Sequence, residues 1–270
     1  VPIRTLTLSG DRGTMGIGSG IVHDSDADNE WIECLLKGKF LSAPRPEFQL
    51  IETMLWYPGS GYFLRDFHVE RLVDSAAFFL FSINREEIEW QLAELEKQLA
   101  DGNKPCRVRC LFHQDSRLEM SSSVLESLDP PSPHPRDTAE PFPVIISSRR
   151  TDNGDPFLYH KTTNRSLYDG ERAAALEQGF YEVFFLNTTG EVTEGAISNI
   201  FIKQGGNMWT PPVSCGLLAG TLRRYLLEQG LAREKILRLQ DLQHADAVYM
   251  GNSLRGLVRV SLSRESCDPS

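Results

Sequence analysis

The sequence predicts an α+β protein in three parts: a small α+β domain over 46–127, a larger domain with a barrel-like sheet over 144–270, and a separate segment, 1–45, ahead of both. Three observations carry this. Apolar spacing switches between strand and helix periods without the strict strand–helix alternation of a doubly wound sheet. Residues 128–143, LDPPSPHPRDTAEPFP, hold six prolines in sixteen positions, too few N–H donors for helix or sheet, so this stretch reads as a linker. The shorter SAPRPE, 42–47, interrupts the helical pattern before it.

The elements follow in chain order. Residues 48–56 alternate as a strand, 59–61 make a glycine turn, and 62–64 begin the return strand. Over 68–81, Val69, Leu72, Val73, Ala76 and Phe79 recur at helical spacing. A second amphipathic helix covers 86–100 and a strand 107–113. After the linker, 144–147 is a strand, and 162–178 is a helix ended by Gly179. Residues 181–186, 191–193 and 199–203 read as antiparallel strands around turns at 189–190 and 205–206. A helix over 220–229 and a strand over 248–251 complete the pattern. The polar end, 263–270, reads as frayed.

Composition narrows the function. Twenty-eight Lys and Arg against thirty-seven Asp and Glu leave a net charge of −9, which gives nucleic acid or an anionic membrane no reason to bind. Any anion must be held by local donors. The five cysteines, Cys34, Cys106, Cys110, Cys215 and Cys267, show no CxxC pair and read as reduced thiols of a cytoplasmic protein. No apolar run reaches the ~20 residues of a membrane span, and the amino terminus has no signal-peptide pattern.

Four segments carry chemistry. FHVERLVDSAAFF, 67–79, sets Arg71 beside an apolar stripe, where it can reach an anion. FLYHKTTNR, 157–165, places Lys161 at an expected helix start among aromatics, where desolvation lowers its pKa and favours attack on a carbonyl. EVTEGAISNIFI, 191–202, sets Glu194 between a strand and a glycine turn. LLAGTLRRYLL, 217–227, opens a helix on Gly220, leaving the N–H groups of Thr221 and Leu222 free for a phosphate. Alone, each is an ordinary surface feature.

Together and in this order, from about Phe48 to Val260, they resemble the class IV aminotransferase family, the fold type IV pyridoxal-phosphate enzymes. The resemblance implies that Lys161 attaches the cofactor and moves protons, Glu194 pairs with its ring nitrogen, and Arg71, Gly220, Thr221 and Leu222 hold its phosphate. Many relatives carry a hydroxyl where this chain has Leu222. The resemblance also implies cofactor contacts from Ser198, Asn199 and Ser253, and substrate contacts from Thr53, His113, Asn252 and Arg255. A homodimer is expected.

Within the family, NSLRG at 252–256 and HKTTNRSLYD at 160–169 resemble aminodeoxychorismate lyases. His113 stands where D-amino-acid aminotransferases carry a carboxylate-binding arginine. Ahead of this region, GIGSGIVHDSD at 16–26 and EWIECLLK at 30–37, with residues 3–5, resemble the carboxy-terminal end of a chorismate-using synthase. In that family the glycine turn, here Gly18 and Gly20, holds a carboxylate. Helix acids, here Glu30 and Glu33 with Lys37 one turn later, hold magnesium. Spacing alone makes that trio a surface ion-pair cluster. The resemblance implies vestigial magnesium ligands, no metal in the lyase part, a truncated synthase–lyase fusion, and a glutamine amidotransferase partner for the full synthase. The expected activity is release of 4-aminobenzoate and pyruvate from aminodeoxychorismate. A transaminase for D- or branched-chain amino acids is the alternative, and a non-catalytic chorismate-binding module stands behind it.

Overall fold

The computed structural model describes residues 5–18, 22–23, 25–42, 47–126, 132, 134–135 and 140–263. Ile3, Gly20, most of the proline-rich stretch, the centre of SAPRPE, Cys267 and the side chain of Lys37 lie outside the described residues. The chain divides into two units, Val1–Glu47 and Phe48–Ser270.

In the first unit, β1 (Leu6–Ser9) and β2 (Arg12–Met15) form an antiparallel hairpin. Gly10 turns it at a φ of +62°, where a side chain would be strained. Helix α1 (Ala27–Ser42) follows and carries Glu30 and Glu33. The Asp26 carboxylate accepts from the Asn29 N–H and caps its first turn, and the Ser25 hydroxyl donates to Glu30 at 2.9 Å. Among the described residues, no group of three His, Cys, Asp or Glu side chains is placed to hold a metal ion. No described helix is long and apolar enough to cross a membrane.

The second unit carries two sheets. The smaller joins β3 (Leu50–Tyr57), β4 (Gly61–Tyr62), β5 (Cys106–Phe112) and β6 (Leu118–Val124) in the order β4-β3-β5-β6. Helices α2 (Arg65–Phe79) and α3 (Arg85–Leu99) cover one face. Strand alternation sends Leu50, Met54 and Trp56 of β3 and Cys106, Val108 and Cys110 of β5 into the core with Leu72, Ala76 and Leu92. The opposite face is left to Ile51, Thr53, Arg107 and Arg109. Asn84 caps α3 by accepting from the N–H groups of Glu86 and Glu87, a contact worth about 1 kcal/mol.

The expected return strand at 62–64 is cut to two residues, because Leu64 turns into the left-handed region and opens α2 early. At the other end of α2, Leu80 takes the same conformation and stops the helix before Phe81. Strand β6 is not among the expected elements: it is a mostly exposed, serine-rich edge in which Leu118 and Met120 pack against the core.

The larger sheet joins β7 (Phe142–Thr151), β8 (Glu182–Asn187), β9 (Val192–Gly195), β10 (Asn199–Gln204), β11 (Asn207–Thr210), β12 (Arg233–Glu234), β13 (Ala247–Asn252) and β14 (Gly256–Leu262). Its order is β12-β11-β10-β13-β14-β7-β8-β9, and β9 returns to pair with β10 through Glu194 and Asn199. That pairing closes a barrel, as the mixed pattern predicts. Val144, Phe184, Ile200, Ile202 and Met250 fill the interior. Alternate residues face outward under helices: Val183 and Phe185 under α4 (Ser166–Glu177), Phe201 and Tyr249 under α5 (Thr221–Glu228). Burial on both faces is why β8 reads as a continuous apolar run. A short helix, α6 (Leu239–Gln243), leads into β13.

Candidate active site

A cavity of about 430 Å³ lies in the second unit, between the open face of the small sheet, the β9–β10 turn, the start of α5 and the β13–β14 turn. Lys161 lines it. The sequence places this residue at a helix start, but α4 begins only at Ser166. Lys161 instead sits in extended chain held to β3. Its carbonyl accepts from the Ile51 N–H at 2.8 Å, the Thr163 N–H donates to the Gln49 carbonyl at 2.9 Å, and Leu50 and Thr162 bridge. The β-branched Thr162 and Thr163 suit that conformation better than a helical one. Burial, with the charge of Arg71 added, pushes the Lys161 amine down to about 8, against the pull of Glu52 and Glu194.

Glu194, at the end of β9, is only 7% exposed. One of its oxygens accepts from the Tyr168 hydroxyl at 3.1 Å, the other from the Leu218 N–H at 3.2 Å. Burial pushes this carboxyl up to about 8 despite those two bonds and the nearby charges of Lys161 and Arg165. A buried acid and a largely desolvated amine, each displaced towards neutrality, thus line one cavity.

Arg71 reaches the cavity from α2, locked in a buried network. Its Nε and Nη2 donate to the two oxygens of Glu52 at 2.8 and 2.7 Å, and its Nη1 donates to the Ala219 carbonyl at 3.3 Å, one residue before Gly220. Glu52 also binds His68 Nδ1 at 2.6 Å. Burial lowers the pKa of His68, more than Glu52 raises it. The neutral ring donates from Nδ1 to Glu52 and accepts at Nε2 from the Thr221 hydroxyl, 3.2 Å away. Burial alone would raise Glu52; Arg71 and His68 outweigh it and hold the carboxyl at about 2.

Gly220 is the residue before α5, and a methyl group there would meet Asn199 Oδ1 at 1.9 Å. Asn199 in turn donates to the Leu218 carbonyl at 2.9 Å, which fixes the approach to the helix. The side chain of Leu222 lies in the core with Phe201 and Leu257, so only its backbone N–H is available to a ligand. Ser198 lines the cavity while its hydroxyl donates to the buried Glu182 at 3.2 Å.

Thr53, Asn252, Ser253 and Arg255 also line the cavity. Asn252 is committed to the fold: its amide donates to the Ile197 carbonyl, and its oxygen accepts from the N–H groups of Leu254 and Arg255. His113 does not belong here. It lies past the end of β5, in the turn to β6, beside Glu119 and Arg117. The positions on β5 that face the cavity are Arg107 and Arg109, and Arg109 stands opposite Thr53. The alternation of charged 107 and 109 with apolar 106, 108 and 110 was the signal for them. Arg107, Arg109 and Arg255 form no ion pair with a described residue. Tyr168, Glu52 and His68 were also not singled out from sequence.

Residues 49–262 match the family model described as amino-transferase class IV, and residues 1–43 match that of a chorismate binding enzyme. Among curated relatives, the chain is 27% identical to the aminodeoxychorismate lyase of Bacillus subtilis, over 77% of this chain and 75% of that protein. It is 28% identical to a Schizosaccharomyces pombe protein provisionally named aminodeoxychorismate lyase, over 77% and 87% respectively. Among solved structures, one from Mesorhizobium loti, provisionally titled an amino-acid aminotransferase, is 34% identical with a TM-score of 0.71. That match covers 80% of this chain and all of the other.

Proposed function

The chain belongs to the class IV aminotransferase family, and we propose that within it this protein is a pyridoxal-phosphate-dependent 4-amino-4-deoxychorismate lyase, releasing 4-aminobenzoate and pyruvate. The observation that carries the reading is that one polypeptide matches a chorismate binding enzyme over 1–43 and the aminotransferase family over 49–262. The names of the two curated relatives point the same way.

The residues present fit the cofactor. Lys161 is an amine made nucleophilic near neutral pH. Glu194 is a buried carboxylate whose ionisation awaits a cationic partner, which a protonated ring nitrogen provides. Phosphate would be held by Arg71, aimed by Glu52, and by the free N–H groups at the start of α5. When bound, the cofactor supplies an electron sink for charge that develops at the substrate's amine-bearing carbon.

This chain's own residues do the remaining work. The neutral form of Lys161 is available to take the proton from that carbon, since its pKa lies near 8. Arg107, Arg109 and Arg255 bring positive charge beyond what the phosphate uses, suited to a substrate with two carboxylates. Loss of the enolpyruvyl group leaves an aromatic ring, which makes the elimination strongly downhill.

The test is to incubate the protein with aminodeoxychorismate and follow 4-aminobenzoate fluorescence without any keto acid. Product formed under these conditions supports the lyase. The Mesorhizobium loti relative favours one second reading, a transaminase. Turnover only when an amino acid and a keto acid are both supplied would establish that reading instead.

A further inference from the structure

Two donors from separate elements converge on the buried Glu194. One is the backbone N–H of Leu218, just before α5; the other is the hydroxyl of Tyr168, on α4. Both are uncharged, so they can orient the carboxylate without cancelling its charge. The arginine nearest in sequence to Tyr168 is turned elsewhere: Arg165 donates through Nε to Asp169 and through Nη2 to the Ala196 carbonyl, each at 2.7 Å. The ring of Tyr168 packs edge-on against Phe185 at 4.7 Å and is held by the cluster under α4, so the hydroxyl has a fixed place in the cavity wall.

We propose that Tyr168 is a positioning residue whose hydroxyl aims the Glu194 carboxylate and favours its ionised form once the cofactor's ring nitrogen faces it, and so biases the proton they share towards the ring nitrogen. The inference rests on the reading that this cavity holds pyridoxal phosphate. Its logic is a proton balance between two basic atoms. A donor to the carboxylate stabilises the anion and leaves the shared proton on the ring nitrogen. Without that donor, a buried carboxyl already displaced upward by desolvation keeps the proton itself. The ring nitrogen is then neutral and the electron sink weak. Tyr168 does not compete for the role of anion, because burial and the neighbouring Glu194 both raise its own pKa.

Tyr168→Phe deletes the hydroxyl and keeps the ring against Phe185. The experiment uses the full chain loaded with pyridoxal phosphate labelled with ¹⁵N in the ring, and follows the ¹⁵N shift from pH 5 to 10. The other charged groups acting on Glu194, Lys161 and Arg165, are unchanged by the substitution. The midpoint of the ring-nitrogen titration should fall in Tyr168→Phe. The apoprotein should bind pyridoxal phosphate about tenfold more weakly, as for the loss of one hydrogen bond to a charged group. 3-Fluorotyrosine at position 168 keeps the shape with a stronger donor and should raise the midpoint, a result that still decides the matter if Tyr168→Phe does not fold. A merely structural tyrosine would alter stability but leave the midpoint in place. Unchanged midpoints in a wild-type chain that binds the cofactor overturn the role of Tyr168 alone. A wild-type chain that takes up no pyridoxal phosphate overturns the cofactor reading, and this inference with it.

Discussion

Replacing Glu52 by Gln should destabilise the second unit strongly, although Glu52 does not line the cavity. The side chain is 2% exposed and pairs with His68 and Arg71, which are 1% and 13% exposed. Removing its charge leaves the guanidinium without a counter-ion, a loss of about 3–5 kcal/mol for a buried pair. The depressed acidity of Glu52 leads to a similar figure. A carboxyl held at about 2 in the folded chain against 4.5 contributes about 3 kcal/mol at neutral pH. For a chain of this size, roughly 2–4 °C per kcal/mol puts the fall in Tm at roughly 6–20 °C. The sign with pH follows from a depressed folded pKa: the contribution is complete above 4.5 and disappears as pH falls to about 2. The gap between wild type and Glu52→Gln should therefore narrow on acidification. Urea unfolding of both apoproteins at pH 7, 5 and 3 measures it. A gap under about 1 kcal/mol at pH 7, or one that is constant with pH, would show that this network does not hold the fold. Removing both charges, Glu52→Leu with Arg71→Met, should be less destabilising than Glu52→Leu alone, because no unpaired cation remains.

Three further outcomes are expected. Lys161→Ala should abolish cofactor absorbance and turnover, and borohydride treatment of the wild type should label Lys161 in peptide mapping; a label on another lysine refutes the assignment. Glu194→Gln should retain cofactor yet lower the turnover number by ~10²-fold or more, so an unaltered value makes Glu194 only a turn residue. In Gly220→Ala the added methyl must displace Asn199 or the start of α5, and cofactor affinity measured by fluorescence titration should drop at least about tenfold, as when one charged hydrogen bond is lost; unchanged affinity places the phosphate elsewhere.

In the sequence, the residues legible as candidates are those whose chemistry is local, and the structure gathers them at one cavity. Lys161, Glu194, Arg71 and Gly220 stand in short segments whose residue types already specify an amine, an acid, a cation and a helix opening. What the sequence hid depends on distant chain. Lys161 is extended because residues 49–51, more than a hundred positions earlier, offer a strand edge, and no local helix signal reports that. Glu52 had a signal that was not used: a lone acid on the same strand face as Leu50, Met54 and Trp56 must be paired. His113, singled out by resemblance, stands one residue past the end of β5 at Phe112, and Arg107 and Arg109 hold the cavity face. Strand β6 gives only a weak signal, because the inward alternation of Leu118 and Met120 stops at the serine run 121–123.

The two backbone bonds between β3 and the Lys161 segment have a consequence for how the cavity can breathe. They run from Ile51 to Lys161 and from Thr163 to Gln49, so the small sheet is stitched to this segment at Lys161 itself. A clamshell motion would have to tear this seam and would carry the amine away from Glu194. The rim turns at 195–198 and 253–255 are tied by backbone and side-chain bonds alike: the Gly195 N–H donates to the Ser198 carbonyl, the Ile197 N–H to Glu182, and the Asn252 amide to the Ile197 carbonyl. In deuterium exchange, the amides of Ile51 and Thr163 should be among the slowest in the chain, making Lys161 a stationary point of the pocket.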